Sequence, residues 1–196
     1  DRQTDRQTDR QTDRQTDRLI AIPHLENEFF WIEVKYKIDT NAWKEFVLGD
    51  FFEVKKGKRL TSENQTEGGT PYIGAIDSNN GVANYIGQNA IHDGNTISLS
   101  YNGSVGEAFY QEKPFWATDD VNVLYFKHPG IVFDKYIALF ICTVLRQEKY
   151  RYSYGRKWTL ENMKSTTIKL PVDIYGNPNW NFMRNYIKSL PYGDKI

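Results

Sequence analysis

Over residues 43–171, turn-forming residues interrupt nearly every apolar run after a few positions, which restricts this region to short strands. Residues 46–54 open the series as one strand, and residues 70–74 follow. Asn79-Asn80-Gly81 and Asp93-Gly94-Asn95 are turn signals. Residues 96–101 alternate with period two, and the Asn102-Gly103 beyond them is a dipeptide that favours a tight hairpin turn. Residues 105–110 and 121–126 supply further strands. One helix breaks the pattern. Asp134 is placed to cap a segment running to about Tyr150, with Ile137, Phe140, Ile141, Val144 and Leu145 on one face. Cys142 lies beside that face and reads as a buried structural thiol. A second, short helix is predicted after Thr159, with Glu161 favourable in its first turn. The closing helix is predicted with Asn177 as its cap and Pro178 at its first position. It carries Trp180, Met183, Tyr186, Ile187 and Leu190 on one face, and Pro191 stops it. The fold class that follows is α+β, rich in strand, with one long amphipathic helix, a short helix and a C-terminal helix.

Residues 1–18 are different in kind. They repeat Asp-Arg-Gln-Thr four times and begin it again with Asp-Arg. The period is far below the roughly 20 residues of a solenoid unit. With no apolar side chain the repeat can bury nothing, so disorder is predicted. The same tetrapeptide is what a GACA tract encodes, and gain or loss of one unit by slippage would shift the downstream frame. A phase-variable bacterial gene is the expectation. Residues 19–43 form a transition segment containing Phe29-Phe30-Trp31, which suits an ordered strand or a frame-shifted remnant equally.

Hydrophobic residues make up 39% of the chain, enough for one packed core. A single cysteine excludes an internal disulfide framework and suits a reducing cytoplasm. No apolar run approaches the roughly 18 residues of a membrane span, and no secretory signal is present. Because the chain begins at Asp1, a natural start upstream is expected. The 25 basic and 25 acidic residues cancel, which argues against a uniformly basic nucleic-acid binder. The cations are nevertheless clustered, in Lys55-Lys56-Gly57-Lys58-Arg59 and again from Arg146 to Lys157.

Catalytic patterns are weak. Asn177-Pro178-Asn179-Trp180 lacks the second proline of an adenine methyltransferase loop and reads better as a helix start. Glu33-Val34-Lys35 and Glu53-Val54-Lys55 match a nuclease triplet that is common by chance. No phosphate-binding GxxxxGK string occurs. His24, His92 and His128 are scattered and predicted to lie at the surface, and Asp119-Asp120 reads as a turn or cap. No catalytic residue, metal site or cofactor is expected.

Three pieces remain. Lys56, Lys58 and Arg59 can neutralise phosphates. Tyr101, Asn102 and Ser104 offer a ring, an amide and a hydroxyl at a strand end, and an asparagine amide can pair bidentately with adenine. Arg151, Tyr154, Arg156 and Lys157 interleave cations with aromatic rings after the long helix. A solvated loop, a plain hairpin and a charged helix end account for each piece alone; the three together favour nucleic acid.

The strings also carry a resemblance. Trp43-Lys44-Glu45-Phe46 with Leu48-Gly49-Asp50-Phe51-Phe52-Glu53-Val54-Lys55-Lys56-Gly57-Lys58-Arg59-Leu60-Thr61 resembles the opening of a target-recognition domain from type I restriction–modification specificity subunits. Pro71-Tyr72-Ile73-Gly74-Ala75 is similar to its next block. Asn95-Thr96-Ile97, Tyr101-Asn102-Gly103-Ser104-Val105-Gly106 and Phe115-Trp116-Ala117-Thr118-Asp119-Asp120-Val121 are similar to the central ones. Tyr154-Gly155-Arg156-Lys157-Trp158 and Ile168-Lys169-Leu170-Pro171-Val172 are similar to the closing signature. Gly-Asn-Pro-x-Trp and Ser-Leu-Pro-Tyr-Gly-Asp near the end also resemble specificity subunits that serve a fused methylase–nuclease. The resemblance covers about residues 43–196.

It implies a DNA target-recognition domain at 44–172 and a C-terminal helical segment at 173–196, which follow the disordered repeat at 1–18 and the transition segment at 19–43 read from composition. It also implies sequence-specific binding of double-stranded DNA by a non-catalytic cytoplasmic subunit. Methyltransferase and restriction subunits would be its partners, with no membrane role. Such subunits carry two recognition domains separated by long helices, whereas this chain holds one. Full activity is expected to need a second reader, from an N-terminal half or by dimerisation. Two competing readings are a small metal-dependent nuclease using Glu53 and Lys55, and a protein-interaction domain that binds no DNA. On the repeat, the coding DNA is expected to show an unbroken GACA tract; mixed synonymous codons would remove slippage as its origin.

Overall fold

The computed structural model describes residues 19–24, 28–33, 38–152 and 155–195. The tetrapeptide repeat and Tyr154 lie outside the described residues. Two units are distinguished, residues 1–38 and 39–196. In the first, β1 (Leu19–His24) and β2 (Glu28–Glu33) form an antiparallel hairpin, so Phe29-Phe30-Trp31 belongs to a strand.

The second unit is built on strand alternation. The strand β10 (Val121–Phe126) sends Leu124 into a large core and Val121 and Val123 into a smaller one, as period-two geometry requires. On one side it pairs antiparallel with β4 (Phe52–Lys56), and on the other with β7 (Thr96–Ser100). The strand β8 (Ala108–Gln111) then completes a four-stranded sheet in the order β4-β10-β7-β8. A second sheet holds β5 (Thr70–Ile73) between β6 (Val82–Ile86), which is antiparallel to it, and β9 (Trp116–Ala117), which is parallel. Ile73, Phe115 and Ala117 meet Val121 and Val123 in the smaller core.

Helices cover the opposite face. The helix α2 (Lys135–Gln147) places Ile137, Phe140, Ile141, Val144 and Leu145 in the large core with Ile97, Leu99 and Leu124. Its cap is Asp134, whose carboxylate accepts from the Ile137 amide at 3.0 Å, as the sequence predicts. Cys142 is buried within the helix, and burial pushes its thiol up to about 12. That suits an inert structural thiol. The short helix α3 (Leu160–Ser165) starts after Thr159, as predicted, and the Thr159 side chain caps it by accepting from the Asn162 amide. Beyond it, β11 (Thr167–Leu170) pairs with β3 (Lys44–Val47). The chain closes on α4 (Trp180–Ser189), whose Trp180, Met183 and Ile187 join the large core. The fold is therefore α+β, with nine strands in three sheets among the described residues of the second unit.

Several expectations change in detail. Residues 46–54 are not one strand, because a single helical turn, α1 (Leu48–Phe51), separates β3 from β4. A strand would send positions 48 and 51 to opposite faces, whereas one helical turn brings both Leu48 and Phe51 into the core. The cap of α4 is Asn179, not Asn177; its side chain accepts from the Phe182 amide at 2.9 Å. The Asp173 carboxylate already takes the amides of Tyr175 and Asn177, and Pro178 is held in a bridge with Val172, so the helix starts later. The strand β7 alternates by residue type but is buried on both faces. Its Thr96 donates to the Asp93 carbonyl at 3.0 Å, and its Ser98 accepts from Gln111 at 3.0 Å.

Thr166 joins three elements after α3. Its hydroxyl donates to the Asn162 carbonyl at 2.6 Å, which uses its one proton. The Trp158 indole at 2.8 Å and the Tyr152 hydroxyl at 2.9 Å must then both donate to it. Tyr152 and Trp158 are stacked with ring centroids 4.5 Å apart. The Thr166 carbonyl accepts from the Leu48 amide at 2.8 Å, fixing α1 to this corner.

His92 is a correction. It was expected at the surface, yet it is buried, stacked on Phe115 and 3.0 Å from the Tyr125 hydroxyl through Nδ1. Burial, with Lys55 adding to it, holds its ring below the ordinary 6.5, so the folded state disfavours its protonation. Below the ordinary value the unfolded chain takes up a proton that the folded chain refuses, so stability falls with pH there. Melting temperature should decline from about pH 7 to about pH 5.5, and His92→Gln should flatten that decline. An unchanged slope in the variant would show that His92 is not its source.

Candidate functional site

The registers of the four-stranded sheet decide which loops meet. Lys56 ends β4 opposite Asn122, Ser100 ends β7 opposite Val121, and Ala108 begins β8 opposite Leu99. Residues 57–59, 101–107 and 118–120 therefore leave the same end of the sheet, although they are far apart in the chain.

Main-chain bonds lock these loops together. The Gly57 amide donates to the Val121 carbonyl at 2.9 Å and the Lys58 amide to Ala117 at 2.8 Å. The Trp116 indole donates to the Lys58 carbonyl at 2.8 Å. The Tyr101 amide donates to the Asp120 carbonyl at 3.0 Å, and the Ser104 amide to Ala75 at 3.2 Å. Gly57 is required by close approach, since a Cβ there would lie 2.0 Å from the Thr118 carbonyl oxygen. Gly103 is required by its backbone, with a φ of 65° at the tip of the 101–107 turn.

The side chains carry the chemistry. Lys56, Lys58 and Arg59 are exposed along one rim. Lys58 Nζ lies 5.9 Å over the Trp116 ring, and Arg59 Nη1 lies 3.8 Å from Asp119 Oδ2. Asn102 Nδ2 donates to Asp120 Oδ1 at 2.7 Å. One amide hydrogen is spent on that bond, which leaves one N–H and the Oδ1, the donor and acceptor that match an adenine edge. The Tyr101 phenol is pushed above its ordinary value by partial burial, then by Asp120 and Asp119, so it stays protonated as a donor. Ser104 is half-buried beside it.

The third predicted group divides. Arg151 points to structural partners, with Nε 2.9 Å from Glu148 Oε2 and Nη1 donating to the Thr167 carbonyl at 3.3 Å. Arg156 and Lys157 are exposed on the stretch before the buried Trp158. Tyr154 lies outside the described residues. Lys149 forms the link that residue types alone did not single out. It pairs with the buried Glu107, and its side chain runs beside Gly106 in the 101–107 turn. Arg146 lies 3.3 Å from the other Glu107 oxygen. Through Glu107 the end of α2 is tied to the turn that carries Tyr101, Asn102 and Ser104.

Glu53 and Lys55, the pair of the nuclease reading, lie 3.7 Å apart on exposed positions of β4. Lys55 Nζ sits 4.2 Å over the Tyr125 ring. Among the described residues no group of three His, Cys, Asp or Glu is placed to hold a metal ion, and no helix is long and apolar enough to cross a membrane.

Comparison with known proteins gives three findings. The family model described as "Type I restriction modification DNA specificity domain" matches residues 40–191. The type II restriction enzyme BgcI specificity subunit S.BcgI of Heyndrickxia coagulans is 38% identical over 148 residues, which cover 74% of this chain and 42% of that protein. Among solved structures, the S subunit of a type I restriction–modification system from M. genitalium aligns with a TM-score of 0.59 at 21% identity, over 79% of this chain and 40% of that one. The HsdS subunit from Thermoanaerobacter tengcongensis gives 0.53 at 14% identity, over 79% and 37%. The chain thus spans less than half the length of these relatives.

The glycine at the loop junction supplies a direct check of the site's construction. Gly57→Ala should destabilise the fold by about 1–3 kcal/mol, the usual scale of overpacking. Gly69→Ala, where an added Cβ meets nothing within 4 Å, should leave the melting temperature nearly unchanged.

Proposed function

The chain belongs to the family of type I restriction–modification DNA specificity domains, and from that premise we propose that it is the sequence-reading head of a specificity subunit, binding double-stranded DNA at the end of its four-stranded sheet. The observation that carries this reading is the meeting of loops 57–59, 101–107 and 118–120 at one end, held by main-chain bonds between them. A rigid platform is what a base reader needs, since a loosely held donor reads several bases equally well.

Lys56, Lys58 and Arg59 serve as phosphate contacts, and Arg156 and Lys157 extend that role. Tyr101, Asn102 and Ser104 face base edges, with Tyr154 and Arg151 as the remaining candidates. The chain carries out no chemistry itself in this reading. Methylation and cleavage belong to partner methyltransferase and restriction subunits, in the cytoplasm where DNA and a reduced Cys142 coexist. A second recognition domain, from a further part of the protein or from a second copy, supplies the other half of a split site. The repeat at 1–18 adds switching of expression by slippage.

Binding to a random-sequence duplex, followed by fluorescence anisotropy, tests the central claim. Affinity should fall steeply as salt is raised, and each of Lys58→Ala and Arg59→Ala should reduce the magnitude of the log–log slope by about 0.9. Binding without salt dependence, or none at all, would overturn the reading in favour of a protein-interaction domain. Magnesium-dependent cleavage lost in Glu53→Ala would overturn it in favour of a nuclease.

A further inference from the structure

We propose that Asp119 and Asp120 are positioning residues of the reading loops: Asp120 sets discrimination between sequences by fixing the amide of Asn102, and Asp119 lowers sequence-independent affinity by restraining the guanidinium of Arg59. The proposal rests on the DNA-reading function and names residues that this function does not by itself require.

Two adjacent carboxylates beside a phosphate-binding rim need a reason, because they repel the backbone that the rim attracts. Closing their own turn is not a sufficient one. The Val121 amide already donates to the Thr118 carbonyl at 3.1 Å, so main chain closes the turn without either carboxylate. Asp119 does accept locally from the Thr118 hydroxyl at 3.1 Å through Oδ1, but its Oδ2 faces Arg59. The Asp120 carboxylate leaves its own loop altogether and reaches Asn102, while its carbonyl holds the Tyr101 amide. Each carboxylate therefore grips one contact group from a different loop.

The choice of a carboxylate matters for Asn102. An amide or hydroxyl partner could face either end of the Asn102 side chain by donating or accepting. A carboxylate only accepts, so only Nδ2 can face it. The orientation of the amide is thereby fixed, and with it the order in which donor and acceptor meet a base pair. An amide free to flip would read A and other bases less selectively.

Asp119 acts on Arg59 differently. Their pair is exposed and 3.8 Å long, with the Arg59 side chain 77% accessible, so it is weak enough for DNA to displace. Competition from the carboxylate weakens the Arg59–phosphate contact on every duplex. The penalty is common to all sequences, so it lowers sequence-independent affinity and leaves discrimination to Asp120 and Asn102. The net charge of zero fits this arrangement, since local carboxylates restrain the cations that would otherwise bind any duplex.

The test uses the whole chain as wild type, Asp119→Ala and Asp120→Asn, with two probes. The first is a random-sequence duplex, read by anisotropy. The second is a randomised duplex pool, read by sequencing the bound fraction. Both variants are expected to bind the random duplex several-fold tighter. Asp120→Asn should also enrich the preferred sequence about tenfold less, the scale of one bidentate contact, while Asp119→Ala keeps the wild-type enrichment. In Asp120→Asn the loss should fall at the same base positions as in Asn102→Ala. A merely structural role would lower the melting temperature and weaken binding to both probes together, and that result overturns the proposal. So does wild-type enrichment in Asp120→Asn, or a reduced enrichment in Asp119→Ala. If the wild type itself neither binds with salt dependence nor enriches any sequence, the DNA-reading function fails and this inference falls with it.

Discussion

The pairing of β10 with β4 on one side and β7 on the other is the interaction on which the rest of the unit depends. It decides which side chains enter each core, because Leu124 faces the helices while Val121 and Val123 face the small sheet. A slip of one residue would exchange those faces and bury the wrong set. It would also displace residues 118–120 by about 3.3 Å along the strand. The hydrogen bonds from Tyr101, Gly57 and Asn102 could not survive such a shift. Core and loop cluster are therefore set by the same ladder.

Much of this was legible in the chain. Residues 121–126 read as a strand because two aliphatic faces and flanking turn residues leave no better alternative. The Asp134 cap and the apolar stripe of α2 follow from local chemistry alone. What stayed hidden depended on distant partners. The α1 turn is only four residues long, too short for periodicity to separate it from a strand, and its reason lies in the Leu48 bond to Thr166. His92 carries no local sign of burial; Phe115, bridged to it from the segment before β9, and Tyr125 of β10 surround it. Asn177 and Asn179 are chemically equal caps, and Asp173 decides between them by binding the backbone of the first.

The candidate site shows the same division. Its residue types could be picked out as cations, rings and amides. Their meeting could not, because Arg59, Asn102, Asp119 and Asp120 come together only once the sheet register is known. The electrostatic reading changes accordingly. A neutral total looked unfavourable for a nucleic-acid binder, yet the structure pairs several cations with carboxylates close by. Glu107 holds Lys149 and Arg146, Glu148 holds Arg151, and Asp119 faces Arg59. Neutrality here describes how the cations are restrained rather than a shortage of them.

The partnership of β3 with β11 has a consequence in time. Val47 pairs with Thr167, about 120 residues later in the chain, and Leu48 waits for the carbonyl of Thr166. At translation rates of about 5–20 residues per second, the first strand emerges roughly 6–24 seconds before its partner exists. During that interval the early strand has no mate, and a ribosome that stalls within the sheet releases a chain whose two ends cannot close. Within this unit β11 completes β3, so the unit matures late and as a whole, and a shortened product is not a smaller version of it.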